Sequence, residues 1–353
     1  MADAIGALGL SLLSAFCWGT WSNTAKAAKN VPFPLFYLDY SIGVVLVSAL
    51  AFLSVGERQF FTDAIDGWEM RVVAALCAGC LFNVGNVLLV IGIALAGLAV
   101  AFPVGIGLAL VLGTIITFAV DNQGDPLYLF AGVAAALAAI LVQVAAKAQH
   151  QRDLALAHTS GERSLFTGDG GGGGKDGGGD DGVSSNPGRS GIWVCMAAGG
   201  LIACFPPLSA YAMKTHTDGS CNGCLTPFGL TYLFSVSVFL SSFVLCKALM
   251  LRPVTGDRTD FRSFAQLSWS DHGWGVLGGA LWALGTVANL MSGSQLGVAL
   301  SYAIGQSAPM VATAWGVFYY KEFEGARSKT KALIASCFAL FLLAISLVAM
   351  SKE

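Results

Sequence analysis

Charge is scarce in this sequence. Lysine, arginine, aspartate and glutamate make up 11% of its 353 residues, less than half the share of about a quarter usual in soluble domains. A surface so poor in charge cannot face water throughout. The 19 basic and 21 acidic residues leave a net charge of -2, which excludes the basic field a nucleic-acid partner requires. Histidine is rarer still. His150, His158, His216 and His272 are scattered at loops, whereas a membrane enzyme using metal or general-acid chemistry would gather them with Asp or Glu at one place. No enzymatic activity, metal or cofactor is expected. The opening MADAIG has no basic residue before the first apolar run, so a cleaved signal is not expected there.

Cysteine offers no framework. The nine cysteines lack disulfide-type spacing, and most lie in apolar runs as small packing residues. The exception is Cys221-x-x-Cys224, which follows His216. A disulfide ranks first for this pair, free thiols second, and a metal site third for want of a fourth ligand. A phosphate loop is also missing. The glycine-rich run GDGGGGGKDGGGDDG places Asp169 where the first glycine of that motif belongs and Asp176 where its hydroxyl belongs. Nucleotide-driven action is therefore not expected. Residues 148–190 read as a flexible tether.

What the chain does have is apolar length. It is 55% hydrophobic with a mean hydropathy of +0.69. A bilayer core of about 30 Å takes roughly 20 helical residues. Runs of that kind occur near 5–22, 35–55, 72–95, 98–120, 127–146, 191–213, 227–249, 273–292, 298–320 and 332–350. This predicts an all-α integral membrane protein of about ten spans. No charge occurs between Arg71 and Asp121 or between His272 and Lys321. Each stretch is too long for one span, so each is read as a tight helical hairpin. The turns are expected at Ala96-Gly97 and within Ser294-Gln295-Leu296-Gly297.

The two hairpins repeat each other at one fixed spacing without a gap. Gly79, Leu81, Gly85, Val87, Gly97, Ala99, Gly105, Val111 and Phe118 recur as Gly279, Leu281, Gly285, Val287, Gly297, Ala299, Gly305, Val311 and Phe318. Phe82 faces Trp282 and Phe102 faces Tyr302 in the same register. Runs one and six both end in a lysine, Lys26 and Lys214. Five spans is an odd number, so a second half of five must enter the membrane upside down. The expected organisation is a first five-helix repeat at 1–147, a linker at 148–190 and a second repeat at 191–353. Many secondary carriers use that plan, with the solute site near mid-depth between the halves.

Polar groups inside a membrane are costly and tend to line a path. Candidate solute-binding residues are Trp18 and Asn23 in span one and Tyr40 in span two. Span three offers Asn83 and Asn86, and span eight offers Trp282, Thr286 and Asn289. Span nine offers Ser301, Tyr302 and Gln306. Residues three apart, such as Asn83 and Asn86, share a helix face. Each has a plainer reading as glue between helices or as an interfacial aromatic. Gln306 lies between Gly305 and Pro309, which predicts an irregular helix with exposed backbone groups. Pro103, Gly105 and Gly107 predict the same at the matching place in the first half. Asp39 and Lys26 are expected as a gate or proton-linked pair. Otherwise, Asp39 caps its helix and Lys26 sets orientation. Spans five and ten carry almost no polar side chains. They should sit outside the cavity, against the bundle or a second protomer in a homodimer.

The segments FYLDYSIGVVLVSALAF (36–52), NVGN (83–86), FPPLSAYAMK (205–214) and GVALSYAIGQSAPMVATAWGVFYYKEF (297–323) resemble the ureide permease family of the drug/metabolite transporter superfamily, close to its glucose/rhamnose-type carriers. The resemblance covers nearly the whole chain. It implies ten helices, an inverted repeat, a cytosolic central loop and proton-linked uptake of allantoin, uracil or related heterocycles. Sugars are the alternative solute. A non-transporting receptor is the alternative from another class, but it would carry sizeable structured domains outside the membrane.

Fifteen of the 19 Lys and Arg residues fall in or beside the joints after odd-numbered spans. Cytoplasmic loops are the basic ones. Both termini are therefore expected outside the cell, with the protein in the plasma membrane. Epitope tags at either terminus should stain intact cells without permeabilisation.

Overall fold

The computed structural model describes residues 2–28, 31–55, 69–166, 189–214, 224–254 and 257–352. The glycine-rich run, His216 and Cys221 lie outside these residues. Among the described residues the regular structure is helical throughout. Nine segments are long and apolar enough to cross a membrane. Span one comprises Ala2–Thr20 and Ser22–Ala27. Span two is Phe33–Val55 and span three Glu69–Ala96. Span four runs through Leu98–Ala101, a π-helical turn at Phe102–Ile106, and Gly107–Asp121. Span five is Pro126–Phe166. Span six is Arg189–Ile202 and Phe205–Met213, span seven Pro227–Leu251, and span eight Trp269–Leu296.

The tenth membrane-length stretch, span nine, is broken. It consists of Val298–Gly305, Ala308–Ala314 and a π turn at Trp315–Tyr319. No segment there is long enough to count as a crossing, which is why ten apolar runs give nine membrane-length segments among the described residues. Span ten is Ser328–Met350. Both expected weak points are present. Gln306 and Ser307 leave the helix, and Pro309, lacking an N–H, leaves the Gly305 carbonyl without its helical donor. The π turn of span four falls on Pro103 and Gly105. Both hairpin turns close at a single glycine, Gly97 with φ +76° and Gly297 with φ +100°. The second turn is tighter than expected, since helix persists through Leu296.

Span five departs from expectation. Its helix continues 20 residues beyond Ala146 to Phe166 and totals 41 residues. At 1.5 Å per residue it is about 60 Å long, twice the bilayer core. The apolar run ends near Ala146, but the following KAQHQRDLALAH is rich in helix formers. Polarity ends the span; it does not end the helix. The first part of the expected linker is thus helical. It docks on the start of span ten, where Arg327 Nη1 lies 3.7 Å from Asp153 Oδ1.

Among the described residues, the ends of odd-numbered spans share one end of the bundle, the basic face. The ends of even-numbered spans share the terminal face with Ser351, where Asp125 N–H donates to Ser351 C=O at 2.6 Å. Lipid tails are as apolar as leucine, so helices in a bilayer associate by close packing of small residues. Glycine supplies that here. A Cβ at Gly43 of span two would overlap the Val276 carbonyl of span eight, and one at Gly279 would overlap the Tyr40 carbonyl. Gly79 of span three meets the Phe234 carbonyl of span seven in the same manner. Gly85 lies against Ala198 and Ile202 of span six, and Gly285 against Cys17 and Trp18 of span one. Spans five and ten pack on each other through Leu129, Val133, Ile140, Phe341 and Val348, away from the centre.

Gly279→Ala is expected to cost about 1–3 kcal/mol, the usual range for overpacking. Gly200→Ala, whose Cβ would meet open space, should leave stability unchanged. Thermal unfolding of the purified protein in detergent measures both.

Candidate binding site

Spans one, two, three, seven and eight bring their aromatic residues to one place around Trp282, which is 6% exposed at the middle of span eight. Trp18 stacks nearly parallel to it, with ring centroids 6.3 Å apart and planes 19° apart. Phe82 lies 4.9 Å away, Phe234 5.7 Å and Tyr40 6.4 Å. Tyr37 stacks on Tyr40 at 5.2 Å. Phe205 closes one side, 5.8 Å from Phe82, 5.0 Å from Phe234 and 6.5 Å from Tyr302. The glycine crossings allow this convergence by bringing the helix backbones into contact.

The candidate polar residues divide into two groups. Asn83 is fully buried and bonded within the protein. Its Oδ1 accepts from Tyr37 Oη at 2.7 Å, and its Nδ2 donates to Val238 C=O at 3.1 Å and Ser241 Oγ at 2.8 Å. It ties span three to spans two and seven. Asn289 Nδ2 donates to Ser301 C=O at 2.9 Å, and Ser301 Oγ donates back to Asn289 C=O at 2.7 Å. This reciprocal pair joins spans eight and nine. For these three residues the glue reading holds in this conformation. Tyr302 is 1% exposed, and its hydroxyl points to Ala109 C=O at 3.4 Å.

The other candidates are less engaged in helix-to-helix bonds. Asn86 is half-buried, and its Nδ2 donates to Tyr37 Oη at 2.9 Å. Trp18 Nε1 donates to Thr286 Oγ1 at 3.2 Å. Gln306 is half-buried at the break in span nine, directly after Gly305, where a Cβ would press on Trp18 and on Asn289 Nδ2. Asn23 Nδ2 is buried with no partner among the described residues. Flat aromatic faces with amide groups at their edges suit a planar solute that carries both donors and acceptors.

The expected Lys26–Asp39 pair does not form. Lys26 Nζ donates to Glu322 Oε1 at 2.7 Å and lies 4.1 Å from the centre of the Tyr320 ring. Asp39 pairs instead with His272, whose Nδ1 lies 2.9 and 2.8 Å from the two carboxylate oxygens. Nor does Asp39 cap its helix, since it lies in the second turn of Phe33–Val55. His272, expected in a loop, belongs to the first turn of span eight. The sequence signal was the Ser268-x-x-Asp271 capping pattern, in which Ser268 Oγ accepts from Asp271 N–H at 3.1 Å. The basic face also opens a cavity of about 380 Å³, lined by Val31, Pro34, Ile91, Ala94, Leu249 and Asp257 among others. On the terminal face Lys214 Nζ donates to Val120 C=O at 2.6 Å, and Asp121 Oδ2 accepts from Val298 N–H at 2.7 Å. Cys224 is disulfide-bonded; its partner falls outside the described residues.

Sequence reasoning passed over Phe205 and Phe234 because phenylalanine in an apolar run carries no periodic mark of its own. Phe82 was marked, by its register with Trp282.

Residues 188–351 match the ureide permease family. The whole chain is similar to three proteins of Arabidopsis thaliana. Ureide permease 5 is 25% identical, over 97% of this chain and 93% of its own. Ureide permease 4 is 24% identical, over 98% and 97%. Ureide permease 1 is 25% identical, over 98% and 97%. The second half of the chain is similar to a ureide permease domain. Together with the helical spans this makes the protein a multi-pass membrane transporter, not an enzyme.

The division of polar residues in this permease predicts different outcomes for two substitutions. Asn83→Ala strands several buried partners and should cost about 1–3 kcal/mol. Gln306→Ala removes no bond seen here and should change stability by less than about 0.5 kcal/mol while lowering solute uptake. Unfolding midpoints in detergent, measured beside uptake, separate the two.

Proposed function

We propose that the protein is a proton-coupled secondary active transporter of a ureide- or nucleobase-type heterocycle such as allantoin or uracil. It works by alternating access between inverted repeats at 1–147 and 191–353. The observation that carries the solute reading is the Trp282 cluster with Asn86 bonded to Tyr37 at its edge. A flat guest stacked between two rings sits roughly 3.5–4.0 Å from each, which asks for about 7–8 Å between them. Trp18 and Trp282 stand at 6.3 Å, so a small opening admits such a ring. The names of the related plant permeases point to the same solute class.

Support for the inverted repeat comes from contacts. Gly79 meets span seven as Gly279 meets span two, and Gly85 meets span six as Gly285 meets span one. Gly105 lies against Leu89 as Gly305 lies against Asn289. Each correspondence holds at the spacing read from the sequence. The two faces are also closed by similar means. Lys26, at the end of span one, reaches Glu322 just beyond span nine. Lys214, at the end of span six, reaches the Val120 carbonyl next to Asp121 at the end of span four. The Lys26–Glu322 side chains are 50% and 37% exposed. A pair so exposed contributes about 0–1 kcal/mol, weak enough to break in every cycle. The positive-inside bias supports a cytosolic basic face, termini outside the cell and a plasma-membrane location.

Uptake of labelled allantoin, uracil and glucose into cells expressing the protein, with and without an imposed pH gradient, tests this reading. Allantoin or uracil uptake enhanced by an inward proton gradient is the expected result. Transport of glucose alone overturns the solute assignment, and transport of none overturns the function. Trp282→Phe should raise the KM for the heterocycle about tenfold, the equivalent of 1.4 kcal/mol of lost stacking. Leu342→Ala, on the outer surface of span ten at 58% exposure, should leave it unchanged.

A further inference from the structure

We propose that Asp39 and His272 together form the proton-binding site of this transporter, and that the proton they share holds spans two and eight in their closed crossing. The inference rests on the transporter reading for its role in transport, but the site itself follows from geometry. The Asp39 side chain is 3% exposed. An ionised carboxylate at that depth needs a partner. His272 supplies it at 2.8 Å, bridging spans two and eight. Its own side chain is 20% exposed, so the pair has a path to water at the basic face.

The other charges near the pair are engaged elsewhere. On span eight, Asp271 Oδ2 accepts from Ser268 Oγ at 2.7 Å. On the short helix Phe261–Ala265, Arg262 is drawn to the capping carboxylate of Asp260. On span seven, Lys247 lies over the Phe261 ring at 5.4 Å. At the tail of span one, Lys26 is held by Glu322. Asp257 lines a cavity bordered by the start of span two and the ends of spans three and seven, whose lining does not include the pair. Phe264 and Trp269 flank the His272 ring at 4.8 and 6.2 Å and add no charge. The net charge of the buried pair is therefore set by its own proton.

Imidazole is the side chain whose ordinary titration falls between pH 5 and 8. One proton added to the neutral imidazole of His272 turns a pair of net charge -1 into a neutral imidazolium–carboxylate pair. No electron moves and no covalent bond between heavy atoms changes. The neutral pair is suited to burial, whereas the bare carboxylate favours hydration and hence separation of the two helices. The consequence reaches the aromatic cluster over a short distance. Gly275 packs on the Asp39 side chain, Gly279 packs on the Tyr40 backbone, and the Tyr40 ring faces Trp282 at 6.4 Å.

Two measurements test the proposal. In the first, proton uptake by the purified, solute-free protein in detergent is titrated between pH 5 and 8 with a pH-sensitive dye. Wild type should take up close to one proton more than His272→Gln, and Asp39→Asn, whose imidazole has lost its carboxylate, should take up that proton at lower pH than wild type; titrations of both variants that coincide with wild type overturn the proposal. In the second, proteoliposomes are assayed with labelled allantoin, both for accumulation driven by a pH gradient and for exchange without one. Each variant should lower the ratio of accumulation to exchange at least tenfold. A variant that accumulates allantoin like wild type overturns the coupling role, as does one that loses accumulation and exchange in equal measure. Wild type that binds the extra proton but neither accumulates nor exchanges allantoin supports the proton site and defeats the solute reading instead.

Discussion

The structure depends on backbone touching backbone where glycine removes the side chain. Helices in a bilayer gain nothing from hiding apolar surface from one another, because lipid solvates it equally well. Dispersion between closely fitted surfaces and the few interhelical hydrogen bonds must hold them. At Gly43, Gly275 and Gly279 span eight lies so close to span two that a methyl group would overlap main-chain or Cβ atoms. Gly79 does the same between spans three and seven. The aromatic cluster, the buried Asp39 and the Asn83 bonds all sit beside these crossings. Without the close approach, Trp282 would have no opposing rings and Asp39 no imidazole within reach.

The polar side chains follow from the same crowding. Where helices meet this closely, a buried amide finds partners on its neighbours, as Asn83 does with Tyr37, Val238 and Ser241. Such residues hold the bundle and have little left to offer a solute. Capacity remains where the helices are irregular. Trp21 interrupts span one just before Asn23, and Gln306 lies in the break of span nine. A helix that departs from its regular path cannot keep every neighbour satisfied.

Much of the architecture was legible in the sequence, because the bilayer makes span length a property of composition. The hairpin turns were readable because Gly97 and Gly297 share one register. The breaks were readable because Pro103 and Pro309 remove helical donors. The end of span five was not, since hydropathy reports the edge of the membrane and not the end of a helix whose residues continue to favour it. Nor were the ionic partners. Asp39 and His272 are 233 residues apart in sequence, and Lys26 and Glu322 are 296 apart. Only the folded bundle says which charge meets which. Lys26 was the wrong partner for Asp39 because span one leads it toward Glu322 at the end of span nine.

Within the proposed repeat the departures from symmetry are as informative as the symmetry. Tyr40 occupies on span two the place that Phe234 occupies on span seven, each offering its carbonyl to a glycine of the register pair Gly279 and Gly79. The residue beside Tyr40 is Asp39; the residue beside Phe234 is Leu233. The register partner of His272 is Val72, 6% exposed in the apolar core. The first crossing therefore carries a titratable pair and the second carries two aliphatic residues in the same positions. The register partners of Asn83 and Asn86 are Ala283 and Thr286, and that of Asn289 is Leu89. A carrier whose halves were chemically identical would treat both faces alike. On the proposed mechanism, a proton-binding pair in one crossing alone would make opening toward the basic face depend on a proton and leave opening toward the terminal face independent of that pair. The proposed symmetry would then supply two comparable conformations, and the chemical asymmetry would give the gradient a means of choosing between them.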